Sequence, residues 1–115
     1  MAKSEGIIQA SGYFDGYTSR GNFDVQLKAK FSNEELANAL QFVAGIGKRI
    51  SLIADVEGNK VKLGKFNVYA LRVDRDGNCY ITLKTCTDSA FVGNFSQLMV
   101  EEAIITYRAK VLDEE

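Results

Sequence analysis

Seven basic side chains recur in strand-like segments where polar and apolar residues alternate, and they are the residues best suited to contact an anion. They are Lys28, Lys30, Lys60, Lys62, Lys84, Arg108 and Lys110. Lysine and arginine neutralise phosphate groups, and nucleic-acid binding that depends on them weakens as salt rises. Lysine on a strand also blocks edge-to-edge aggregation, so an ordinary solvated surface is the alternative. We expect phosphate contacts if these strands share one sheet face.

A second candidate contact element lies in residues 12–23, where aromatic residues are interleaved with glycine around one arginine. Its candidate ligand-binding members are Tyr13, Tyr17 and Arg20. Aromatic rings beside a cation stack on nucleobases, at about 1 to 3 kcal/mol for each base. The same rings could instead pack at a strand end or meet a protein partner. We predict nucleic-acid binding from these three residues together with the seven basic ones.

The absence of histidine removes the commonest general acid or base and the commonest transition-metal ligand. No segment gathers carboxylates, lysines or thiols into a known catalytic motif. The run 74–78 resembles the start of a calcium loop, but its glycine is fourth instead of sixth and Thr85 stands twelfth. The run 45–48 lacks the spacing of a phosphate-binding loop and follows a predicted helix. We expect no enzymatic activity, no cofactor and no metal.

Composition adds few constraints on the partner. The 115-residue chain carries 14 Lys and Arg against 15 Asp and Glu, a net charge of -1 that gives no bulk attraction to nucleic acid or an anionic membrane. The length suits one domain, 1–115, and no apolar stretch or signal region indicates a membrane.

Cys79 and Cys86 would lie roughly 20 Å apart along one strand, too far for a disulfide. We expect a cytoplasmic protein with reduced thiols.

The elements that must position these residues are read from alternation and glycine, because the chain contains no proline. Strands are predicted at 6–14 and 23–31, with a long hairpin loop at 15–22. Further strands are predicted at 49–57, 60–63, 65–74 and 79–87, with turns at 58–59 and 76–77. Consecutive strands joined by tight turns imply an antiparallel meander.

A helix is predicted over 33–44, between the second and third strands. Ser32 and Glu35 match a capping box, in which each side chain accepts a hydrogen bond from the other residue's amide. Its apolar stripe follows three- and four-residue spacing. That stripe consists of Leu36, Ala39, Leu40 and Val43. Gly45 and Gly47 end the helix, since glycine enters the left-handed conformation at little cost.

The segment 99–112 fits two structures. Residues 103–112 alternate as a strand, whereas Met99, Ala103, Tyr107 and Val111 are four apart, as on one helix face. The run 104–107 favours a strand.

From these strands and the helix we predict an α+β fold, in the order β-β-α and then a β-meander, with one helix covering the sheet. An OB-type barrel is not predicted, because there the helix usually follows the third strand.

We expect a small non-enzymatic binding module whose partner is nucleic acid, single-stranded in the leading hypothesis. The alternative is a protein–protein interaction module, such as an inhibitor or an assembly subunit of a mobile element. Net acidity and an exposed strand edge, which could pair with a partner chain or a second copy, motivate that alternative.

Overall fold

Six antiparallel strands close into a barrel in the computed structural model, which describes residues 7–21, 24–86, 91 and 104–112. The strands are β1 (Ile7–Ser19), β2 (Val25–Phe31), β3 (Ile50–Val56), β4 (Asn59–Val73), β5 (Cys79–Thr85) and β6 (Ile105–Val111). Their order around the barrel is β1-β2-β5-β4-β3-β6, and β6 pairs with β1 to close it. A short helical segment, 33–45, connects β2 to β3.

The closed barrel shows that the predicted α+β fold, an open sheet covered by a helix, was wrong. Strand β6 closes the barrel, because it pairs with β1 on one side and with β3 on the other. Alternation reports which side of a strand is buried, but not which strands pair, so it does not reveal closure. The antiparallel meander β3-β4-β5 is confirmed. Each described strand has a neighbour on both sides, so the expected exposed edge has no counterpart among them.

The two longest strands, β1 and β4, each pair with one neighbour through their first half and with the other through their second half. This change of partner divides the barrel surface into two faces. Strand β1 pairs with β6 through residues 7–12 and with β2 through residues 13–19. Strand β4 pairs with β3 through residues 59–66 and with β5 through residues 66–73. Irregularities in register follow Phe14 in β1 and Val68 in β4, and a third adjoins Gly64. Such bulges bend a strand and re-aim its side chains.

Several predicted boundaries were wrong because β1 and β4 are longer than the sequence pattern indicated. The loop expected at 15–22 is shorter, because β1 continues to Ser19 and pairs with the start of β2. The strands predicted at 60–63 and 65–74 are one strand that bends at Gly64, where φ is 109°. The hairpin at 76–77 is confirmed, with Gly77 at φ 87°.

The helical segment is mostly a 3-10 helix, with one α-helical turn between two 3-10 stretches. Its inner side is formed by Leu36, Ala39 and Phe42, which are three residues apart and match the three-residue turn of that helix. The predicted stripe assumed α-helical spacing, and it was wrong for Leu40 and Val43, which are 40% and 50% exposed. Phe42 is buried with its ring 6.1 Å from that of Phe31, so the segment packs onto the barrel core.

The predicted capping box is absent. The Ser32 side chain makes no capping hydrogen bond. The Glu35 carboxylate instead accepts hydrogen bonds from the Ser11 backbone amide at 3.0 Å and the Asn38 side chain at 3.2 Å. The carboxylate therefore ties the helical segment to β1, close to the point where β1 changes partner.

Strand β6 confirms the strand reading of the last segment, and its Ile105, Tyr107 and Ala109 are buried. Residues 99–103, on which the helical alternative depended, lie outside the described ranges. Cys79 and Cys86 are both buried, and burial raises the pKa of the Cys79 thiol. Among the described residues, no helix is long and apolar enough to cross a membrane.

Candidate nucleic-acid interface

The barrel divides the candidate residues between two opposite sides. One side, the aromatic–basic face, is the outer surface of β2, β5 and the halves of β1 and β4 that pair with them. It carries Tyr13, Lys28, Lys30, Tyr69, Arg72, Tyr80 and Lys84. The other side, the basic ladder, is the outer surface of β3, β6 and the remaining half of β4. It carries Lys60, Lys62, Lys65, Arg108 and Lys110.

One row of cross-strand neighbours on the aromatic–basic face alternates rings with cations. Tyr13 lies opposite Lys30, Lys30 opposite Tyr80, and Tyr80 opposite Arg72. The guanidinium carbon of Arg72 lies 4.3 Å from the Tyr80 ring centroid, and the Lys30 ammonium lies 5.7 Å from it. Both distances are those of cation–π contacts, which fix the cations beside the ring.

Asp74 holds the far end of the Tyr80 side chain. The Tyr80 hydroxyl donates to the Asp74 carboxylate at 3.3 Å, and the same carboxylate accepts the backbone amides of Asp76 and Asn78. Desolvation acts to raise the pKa of Asp74, but these hydrogen bonds outweigh it and the pKa lies below its usual value. The β4–β5 turn therefore carries an ionised carboxylate at neutral pH that keeps Tyr80 in place.

Tyr69 projects from the bulge in β4. Val68 pairs with Leu83 and Ala70 with Thr82, so Tyr69 is the extra residue between them. Its side chain is 63% exposed, and the Lys84 ammonium lies 5.4 Å from its ring centroid. An exposed ring with a cation beside it is the arrangement on which a nucleobase stacks.

Two neighbouring depressions cross this face. The first, of about 350 Å³, is lined by Lys28 and Thr82 between Asp15 on β1 and Arg72 on β4. The second, of about 430 Å³, is lined mainly by polar side chains, including Arg20 and Lys84. Arg20 therefore joins the aromatic–basic face. Asp15 in the first depression and Asp24 in the second reduce the positive charge of the surface.

Tyr17 is placed differently from the other candidates. It pairs with Leu27, whose side chain is fully buried, so Tyr17 belongs to the inner side of β1 near the end of the barrel. Its ring is 42% exposed and stacks on Phe14 at a centroid distance of 6.2 Å. This placement favours packing over ligand contact.

Four residues of the two surfaces were not among the sequence candidates: Lys65, Tyr69, Arg72 and Tyr80. Tyr80 alternates with Thr82 and Lys84, so the pattern that identified Lys84 also indicated Tyr80. Tyr69 and Arg72 could not be assigned in this way, because the bulge at Tyr69 breaks the alternation of β4.

Within the described ranges, no three side chains of the types that ligate metals come together. Comparison of the chain with protein-family models and with characterised protein sequences gave no significant match.

Proposed function

We propose that this protein is a non-enzymatic module that binds single-stranded nucleic acid on its aromatic–basic face. The observation that carries the proposal is the row from Tyr13 through Lys30 and Tyr80 to Arg72, in which rings and cations alternate across four strands. Proteins that bind single strands combine a positive surface, which follows the backbone, with rings that stack on bases.

A single strand fits this face better than a duplex does. The Tyr69 ring is the most exposed of the aromatic side chains on this face, and only an unstacked base can lie against it. The arginine plane beside Tyr80 is a second platform of the same kind. Lys30 lies beside the Tyr80 ring and Lys84 beside the Tyr69 ring, and together with Lys28 they supply the phosphate contacts.

Tyr69→Ala tests the stacking contact. We expect the dissociation constant for a labelled single strand to rise roughly 5- to 150-fold, corresponding to about 1 to 3 kcal/mol for one stacked base. Because Tyr69 is mostly exposed, the folded state should persist, which circular dichroism and thermal unfolding would check.

Lys28→Glu should also weaken binding, through charge repulsion at the first depression.

Lys62→Glu is the matched charge control, because it makes the same substitution outside the aromatic–basic face, on the half of β4 that pairs with β3. It should leave single-strand affinity nearly unchanged. If Tyr69→Ala and Lys28→Glu are both folded and bind as the unmodified protein does, the aromatic–basic face is not the site.

The alternative, a protein-interaction module, is favoured by one observation. Leu40, Val43 and Ile46 are 40%, 50% and 54% exposed and three residues apart along the helical segment and its end, so they offer an apolar row to a partner. A self-associating protein with no affinity for nucleic acid would support this alternative. For either function we place the protein in the cytoplasm, supported by the buried Cys79, which forms no disulfide.

A further inference from the structure

We infer that the basic ladder is a second nucleic-acid site, which binds the phosphate backbone of a duplex while the aromatic–basic face holds a single strand. The inference rests on the proposed function for the class of ligand, but it uses different residues on the opposite side of the barrel. It assigns to the protein a preference for junctions between single- and double-stranded nucleic acid.

The ladder has a regular geometry set by strand register. Lys62 and Arg108 both pair with Ile53, and Lys65 and Lys110 both pair with Ser51. Cations therefore form two lines, one on β4 and one on β6, roughly 10 Å apart across β3. Within a line, residues two apart are separated by about 6.7 Å.

Its charge is strongly one-sided. Together with the half of β1 that pairs with β6, the strands of the ladder have twelve outward positions in three rows: Lys60, Asp55, Thr106 and Ser11, then Lys62, Ile53, Arg108 and Gln9, then Lys65, Ser51, Lys110 and Ile7. Five of these residues are cations, all exposed, and Asp55 is the one carboxylate. Asp55 already accepts the Gly58 backbone amide in the β3–β4 turn, at 3.1 Å. The ladder is therefore complementary to a dense line of negative charge.

The side chains that accompany these cations indicate a duplex backbone. None of the twelve is aromatic, so the ladder offers no ring to an unstacked base. Hydroxyl and amide side chains commonly contact phosphates. Ser51 lies between Lys65 and Lys110, and Gln9 lies beside Arg108. A duplex carries one negative charge for every roughly 1.7 Å of its axis, so its backbone is the dense line of negative charge that the ladder complements. An anionic membrane fits less well, because Ile7 at the edge, 54% exposed, is the one large exposed apolar side chain on these rows.

The test is the double variant Lys62→Glu/Arg108→Glu in the full chain, with fluorescence anisotropy of a short blunt duplex, a single strand, and the same duplex carrying a single-stranded tail. We expect duplex affinity to fall more than tenfold and the slope of log affinity against log salt to lose about two units, one for each phosphate contact. Single-strand affinity should change less than twofold. The tailed duplex should bind the unmodified protein more tightly than either separate ligand, and the variant should lose that advantage.

Tyr69→Ala is the reciprocal control: it should weaken single-strand binding and leave blunt-duplex binding intact. Equal duplex binding by the double variant and the unmodified protein would overturn the ladder as a site. Single-strand binding without duplex binding would overturn the inference and leave the proposed function standing, whereas binding of neither would overturn both. Ladder-dependent binding to vesicles containing phosphatidylserine, without duplex binding, would assign the ladder to a membrane.

Discussion

At the scale of single residues, the most informative group is the Tyr107 hydroxyl in the barrel core. Tyr107 is fully buried, and its hydroxyl has no hydrogen-bond partner among the described residues. Burial, with a further contribution from the charge of Asp15, raises the pKa of Tyr107. The ring packs edge-on against Phe31, with the ring centroids 5.6 Å apart. The ring therefore stabilises the folded state, whereas the unpaired hydroxyl destabilises it.

Tyr107→Phe should therefore leave the free energy of unfolding unchanged or raise it by about 1 kcal/mol, because a buried unpaired hydroxyl costs roughly 1 to 3 kcal/mol. Urea denaturation would measure it. The folded pKa of Tyr107 lies above its unfolded value, so the unmodified protein should lose stability as pH rises above about 10, and the variant should lose less. Tyr80→Phe is the control: it removes the bond to Asp74 and should lower the free energy of unfolding. A loss above about 1 kcal/mol in Tyr107→Phe would reveal a hydrogen-bond partner.

The inward and outward assignment of single residues was largely predictable from the sequence. In the strand predicted at 23–31, Val25, Leu27 and Ala29 alternate with polar residues such as Lys28, and they are buried whereas Lys28 is exposed. Alternation could not show that Tyr17 belongs to the inner side of β1, because the bulge after Phe14 reverses the alternation that precedes it.

At the scale of elements, the barrel depends on long strands that change partner, and Gly12 lies at the change in β1. Gly12 pairs with Ile105 of β6, and the next residue, Tyr13, pairs with Lys30 of β2. A Cβ atom at Gly12 would lie 2.4 Å from the Lys30 carbonyl oxygen and 2.5 Å from the Phe31 ring. The close approach of β1 to β2 at this corner therefore requires glycine.

Gly12→Ala should destabilise the protein by roughly 1 to 3 kcal/mol, because backbone and ring must move to admit the methyl group. Thermal or urea unfolding would measure the loss, and backbone amide shifts should change most at Lys30 and Phe31. Stability within about 0.5 kcal/mol of the unmodified protein would contradict the tight corner.

The element types were predicted more successfully than their boundaries. The strand of the last segment followed from its β-branched residues, and the turn at 76–77 followed from its Asp-Gly pair. The capping box failed because Glu35 has a partner 24 residues earlier, the Ser11 amide, which no local pattern reveals. The same tertiary packing selects Phe42 over Leu40 for burial.

At the scale of the whole molecule, closure separates basic residues that the sequence pattern had grouped together. In the cyclic order of strands, β2 lies opposite β3 and β5 lies opposite β6. Lys84 on β5 is therefore separated from Arg108 and Lys110 on β6 by the barrel core. This arrangement gives one side rings and cations and the other cations alone, although the net charge of the chain is -1.

The most direct test of the central claim is the salt dependence of single-strand binding, measured by fluorescence anisotropy with the unmodified protein. If Lys28, Lys30 and Lys84 each neutralise one phosphate, log affinity should fall with log salt with a slope of roughly -2, at about 0.7 for each contact. Tight binding at low salt with a slope near this value is the result we predict. No binding to single-stranded DNA or RNA at low salt would contradict a nucleic-acid site on the aromatic–basic face.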